Sequence, residues 1–143
     1  MSDGSTDHTL AIIKPDAFGS AKAGRILAHL ENEGFEVVAA RVVRLDARSA
    51  GAFYSVHREK PFFTSLVEFM TSGPCLAMAL AREEAVRHLR RVIGATDPAE
   101  AEEGTIRALY AESKERNAIH ASDSPENARA EVAFFFSALD LLT

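Results

Sequence analysis

The chain has 143 residues, 47% apolar and 26% charged, with a formal net charge of -5 and a single cysteine, Cys75. That length suits one domain with its own core, the negative balance argues against a sequence-independent grip on nucleic acid, and a lone cysteine excludes an internal disulfide. No apolar run nears the ~20 residues that cross a bilayer, so the expectation is a cytoplasmic protein with no membrane partner and no specific nucleic-acid partner, one domain over residues 1–143 with 1–7 as a flexible polar tail.

Residues 9–13, Thr-Leu-Ala-Ile-Ile, predict a short buried strand that stops at Lys14-Pro15-Asp16, where proline removes a ladder donor. Ala23, Ile26, Leu27 and Leu30 recur at helical spacing and predict an amphipathic helix over about 20–33, with Gly34 as its cap. Residues 35–45 read as a long strand, apolar on both faces, which wants cover on both. Residues 47–57 and 61–70 read as a helical hairpin split by Glu59-Lys60-Pro61. A buried strand over 75–80 and a helix over about 82–92 follow, with Glu83 and Glu84 in its first turn and Arg87, Arg90 and Arg91 near its last, as the helix dipole favours.

Residues 94–116 carry no long periodic pattern, which is long for a structureless connection and marks a functional loop. Residues 117–120 predict the fourth strand, and 125–139 the last helix, opened by Ser124 as cap and Pro125 at its first position, with Val132, Phe135 and Phe136 facing inward. The order predicts an α+β fold, a ferredoxin-like split βαβ sandwich of four antiparallel strands with helices on one face. The second face then needs a loop or another subunit.

His120 falls where the last strand meets the last helix, and a neutral imidazole can serve there as base, nucleophile or metal ligand. Asn117 lies three residues before it, Ser122 two after, and Glu131 about two turns into the following helix, placed to orient the ring. The other histidines show no ligand spacing with it, and His29, His57 and His88 read as structural. Lys14, Arg58, Arg90, Arg107 and Arg116 all fall at element ends or in loops. No Gly-rich phosphate cradle is present, so any phosphate must be held by these side chains.

With these residues placed, the sequence resembles the nucleoside diphosphate kinases. The likeness rests on an ordered set: Lys14-Pro15-Asp16; Tyr54 before Arg58-Glu59-Lys60-Pro61-Phe62-Phe63; Ser72-Gly73-Pro74; Gly94-Ala95-Thr96-Asp97-Pro98; Gly104-Thr105-Ile106-Arg107; and Asn117 through Ser124. The resemblance implies a kinase that moves the γ-phosphate of ATP or another nucleoside triphosphate to a nucleoside diphosphate by a ping-pong route, maintaining triphosphate pools. It implies His120 as the nucleophile, phosphorylated on its pros nitrogen. Lys14, Arg90, Thr96, Arg107 and Asn117 go to the phosphates and sugar, Tyr54 to support of the site, Phe62 to the base, and Ser122 and Glu131 to orienting the histidine. It also implies Mg²⁺ held mainly by the nucleotide phosphates rather than by protein side chains; the apolar second sheet face, for its part, motivates a homo-oligomer, a tetramer or hexamer built from dimers. The chain departs from the family at Ala121, where glycine is common, and in the polar segment 111–115. The alternative reading is a regulatory module binding a nucleotide or small molecule on the same fold, which would not become labelled by γ-labelled ATP.

Overall fold

The computed structural model describes residues 7–142. Residues 1–6 of the expected tail lie outside the described residues, and Asp7 already belongs to the first strand. Four strands, β1 (Asp7–Ile13), β2 (Glu36–Val43), β3 (Cys75–Arg82) and β4 (Ile119–Ala121), form an antiparallel sheet in the order β2-β3-β1-β4. Among the described residues seven α-helices surround it: α1 (Pro15–Gly19), α2 (Ala23–Asn32), α3 (Ala47–Phe53), α4 (Phe63–Met70), α5 (Ala85–Ile93), α6 (Ile106–Tyr110) and α7 (Pro125–Phe135).

The period-2 alternation of strand side chains sorts the core into two layers. Ala11 and Ile13 of β1 with Met78 and Leu80 of β3 face Ile26 and Leu30 of α2 and Leu89 and Ile93 of α5. The crossover helices of the split βαβ units therefore share one face, the α+β sandwich expected. Leu10 and Ile12 point the other way, with Cys75, Ala77 and Ala79, against Ala50 of α3, Met70 of α4, and Val132 and Phe135 of α7. The second face, assigned from sequence to a loop or another subunit, is thus closed by the helical hairpin and last helix of the same chain. β2, expected to be covered on both faces, lies at a sheet edge and is largely exposed or half-buried, with Val42 60% exposed.

Several boundaries differ from the sequence reading. The helix expected over about 20–33 is one piece but begins only at Ala23, because Ala21 takes a positive φ of 61° before it, and Pro15 opens a separate short helix, α1, just after the first strand. α5 begins only at Ala85, since Glu84 sits left-handed (φ 51°), so the acidic pair precedes the helix. The last helix stops at Phe135, where the chain turns extended at Phe136; both rings are nonetheless buried. The connection 94–116 holds a 3-10 turn (Pro98–Glu100) and α6, each opened by a side-chain cap, Asp97 and Thr105.

Candidate active site

β4 starts two residues later than expected because Asn117 and Ala118 form a γ-turn. Ala118 has φ +76°, and the Ile119 amide closes the turn by donating to the Asn117 carbonyl at 2.9 Å. A left-handed alanine costs roughly 1–2 kcal/mol. It is held from the far end of the sequence. The Ala118 amide donates to Asp16 Oδ2 at 3.0 Å, and its carbonyl accepts from the Lys14 amide at 2.8 Å. Proline at α1's first position and the end of β1 put Lys14 and Asp16 at that spot, so the turn and the Lys14-Pro15-Asp16 triplet form one structural unit.

The turn delivers three side chains. Asn117 Oδ1 accepts from Lys14 Nζ at 3.0 Å, and its Nδ2 reaches the Thr96 carbonyl at 3.4 Å. His120 emerges on the α7 side of the sheet, its side chain 18% exposed. Its Nε2 meets Glu131 Oε1 at 2.8 Å, and Ser122 Oγ donates to the same oxygen at 2.7 Å. With Glu131 accepting, Nε2 carries the proton and Nδ1 keeps its lone pair. Nδ1 has no hydrogen-bond partner among the described residues. The Phe53 ring stands edge-on to the imidazole at 5.4 Å and the Tyr54 ring at 6.1 Å.

Positive charge is packed beside this ring. Arg107 is buried and donates to three carbonyls, to Asn117 at 3.3 Å, Gly94 at 3.1 Å and Ile119 at 2.7 Å. Gly94 must be glycine here: its φ is +89°, and a Cβ would come 2.5 Å from Thr105 Oγ1. Burial, the charge of Arg107 and, in opposition, that of Asp16 bring Lys14 down to about 8. Burial and Arg90 bring Arg107 to about 10. Burial also lowers His120, with Lys14 and Arg107 adding to the effect and Glu131 opposing it, so the ring is neutral at pH 7. Desolvation pushes the Glu131 carboxyl up, but the bonds from His120 and Ser122 outweigh it and hold the carboxyl below its usual range. Tyr54 Oη is buried without a partner among the described residues, and burial drives its phenol far above the ordinary value, so the hydroxyl stays a proton donor.

The structure thus brings Lys14, Tyr54, Arg107, Asn117, His120, Ser122 and Glu131 together. Arg90 borders the group, its Nη1 3.5 Å from the Ala121 carbonyl, while its side chain is exposed; Thr96 is exposed beside Asn117. Phe62 stands further out, 49% exposed, and connects through rings: it lies 5.4 Å from His57, which stacks on Tyr54 at 6.4 Å. Ala121 sits buried in regular strand pairing with Ala11, so no positive φ calls for glycine there. The polar segment 111–115 is tied to Arg116, which binds Glu112 at 2.9 Å and lies over the Phe69 ring at 5.6 Å.

Three residues of the site were not assigned to it from sequence. Phe53 gave a usable signal, since it neighbours Tyr54; Asp16 gave one as part of the Lys14-Pro15-Asp16 triplet. His57, read as structural, contributes to the site wall with a buried Nδ1 that has no partner among the described residues.

A family model described as nucleoside diphosphate kinase matches residues 7–141. The chain is 52% identical over 136 residues to a nucleoside diphosphate kinase of Chlorobium limicola, covering 95% of this chain and 97% of that one. It is 55% identical over 131 residues to one of Chlorobium chlorochromatii, covering 92% and 94%. Among solved structures, the nucleoside diphosphate kinase of Aquifex aeolicus superposes with a TM-score of 0.94 at 46% identity, covering 96% of this chain and all of that one. That of Halobacterium salinarum, solved with CDP, gives 0.92 at 36% identity over 97% and 93%.

Proposed function

The chain belongs to the nucleoside diphosphate kinase family, and from that premise we propose that His120 carries a phosphoryl group from one nucleotide to the next. The protein is a nucleoside diphosphate kinase, a phosphotransferase acting on nucleotides, and residues 7–142 are read as one catalytic domain. The observation that carries the role of His120 is the division of labour on its ring: Nε2 is committed to Glu131, while Nδ1 is free, neutral and set beside Lys14 and Arg107. In the first half-reaction Nδ1 attacks the γ-phosphorus, the bond to the bridging oxygen breaks, and the diphosphate leaves. In the second, a terminal oxygen of another diphosphate takes the phosphoryl group and frees the ring.

The phosphoryl group in flight spreads charge over its oxygens, so catalysis is positioning plus fixed positive charge. Lys14 and Arg107 supply that charge from buried positions, and Arg90, Thr96 and Asn117 take the remaining phosphate and sugar contacts. Phe62 offers an exposed ring to the base, which any nucleobase can stack on. Mg²⁺ would be held mainly by the nucleotide phosphates rather than by protein side chains, and would supply charge neutralisation there. Among the described residues no three His, Cys, Asp or Glu side chains converge into a cage.

We assign the enzyme to the cytoplasm and to maintenance of triphosphate pools. No helix of the described residues is long and apolar enough to cross a membrane. Homo-oligomers built from dimers are supported by the position of β2 at a sheet edge with Val42 exposed, rather than by the second sheet face that the sequence reading gave to a loop or another subunit; a monomer by light scattering at micromolar concentration would refute this. The deciding experiment for the chemistry is incubation with γ-labelled ATP. Label stable to alkali and labile to acid is expected on the wild type and absent from His120→Ala. Equal labelling of that variant would move the nucleophile elsewhere.

A further inference from the structure

We propose that Asp16 is a positioning residue for phosphotransfer: its carboxylate clamps the Ala118 amide in the γ-turn that aims His120, and sets a negative charge two residues from Lys14. This rests on the reading of His120 as nucleophile. Asp16 is buried in the first turn of α1, yet its side chain caps nothing there. Instead Oδ2 spends itself on an amide 102 residues away, at 3.0 Å, while Oδ1 is buried with no partner among the described residues. A carboxylate with one oxygen unpaired in the interior is costly, and an uncharged acceptor would serve the amide at lower cost. The charge itself therefore has a use.

That use is Lys14. The groups facing its ammonium are Asn117 by hydrogen bond, Arg107 from α6, His120 from β4 and Asp16 from α1. Of these Asp16 alone is the counter-charge acting on it; burial and Arg107 both favour loss of its proton, and together they leave it at about 8. Without Asp16 the lysine would shed its proton nearer neutrality, and the phosphate site would lose a cation at working pH. One side chain thus holds the strained turn before the nucleophile and keeps the neighbouring cation charged.

The test compares wild type, Asp16→Asn and Asp16→Ala. Asparagine keeps an acceptor for the Ala118 amide and deletes the charge; alanine deletes both. The alkaline limb of kcat/KM should move to lower pH by roughly half a unit or more in Asp16→Asn, as expected when a nearby opposite charge is removed. Single-turnover labelling of His120 by γ-labelled ATP should slow by less than tenfold in Asp16→Asn and by at least a further tenfold in folded Asp16→Ala. A purely structural role would lower stability and rate without moving the limb. Coincident alkaline limbs for wild type and Asp16→Asn would overturn the inference, as would equal labelling rates in the two variants; should the alanine variant not fold, the asparagine profile decides. Failure of the wild type to label on His120 would instead defeat the phosphotransfer reading itself.

Discussion

Replacing Lys14 by methionine should leave the fold as stable as before, or more so, while removing most of the activity. The lysine is 8% exposed, and its fall from the ordinary 10.5 to about 8 corresponds to about 3 kcal/mol by which the buried site disfavours the charged form. Methionine removes that penalty. It also leaves Asn117 Oδ1 without its donor, at about 1–3 kcal/mol. The net expectation at pH 7 is a variant between equal stability and about 2 kcal/mol above wild type. The folded-state value lies below the unfolded one, so between pH 8 and 10.5 the unfolded chain holds a proton that the native protein has shed, and wild-type stability rises with pH across that window. By pH 9.5 the wild type should have gained about 2 kcal/mol on the variant relative to pH 7. Urea denaturation of both proteins at the two pH values and equal protomer concentration measures this, since the pair differ only at residue 14. A variant more than 2 kcal/mol less stable at pH 7, or a gap that does not change with pH, would refute the reasoning. Transfer should fall by about 10²- to 10³-fold, the loss typical of removing one preorganised charge-stabilising group.

Three further outcomes follow from the site. Arg107→Ala strips the donor from three carbonyls in a buried setting, so weaker nucleotide binding should be joined by a stability loss of about 3 kcal/mol or more in denaturant melts; a loss under 1 kcal/mol would show the carbonyls satisfied otherwise. Glu131→Gln removes the charge that holds His120 up, so the acid limb of kcat/KM should move to lower pH and kcat should drop by about 10- to 100-fold; an unmoved limb would detach Glu131 from the ring. Phe62→Ala should raise the KM for nucleotides about tenfold or more, whichever base they carry, with little change in stability, because the ring is half exposed; an unchanged KM would take Phe62 out of the base site.

What sequence made legible was local or carried by ordered motifs. The alternation of β1, the capped opening of α7 at Ser124-Pro125, and the placing of His120 near Glu131 and Ser122 are set by neighbours along the chain. The γ-turn was not legible, because a positive φ at an alanine has no local signature; it exists only through bonds from Lys14 and Asp16, about a hundred residues away. α6 is five residues long, too short for a period to show. The cover on the second sheet face was half visible. The apolar stripes of the hairpin and the last helix could be seen, but nothing in either stripe states which face of which sheet it will meet. Phe53 illustrates the same gap: its ring reads as core, and only the packing reveals that part of what it packs on is the imidazole.

The sheet order keeps two jobs apart. β4, which bears His120, and β2 terminate opposite ends of the sheet, three strand spacings or about 14 Å apart. Copies joined rim to rim along β2 would lengthen the sheet without crowding any imidazole. Each protomer would then turn over on its own, and saturation curves for either nucleotide should be hyperbolic whatever the number of copies.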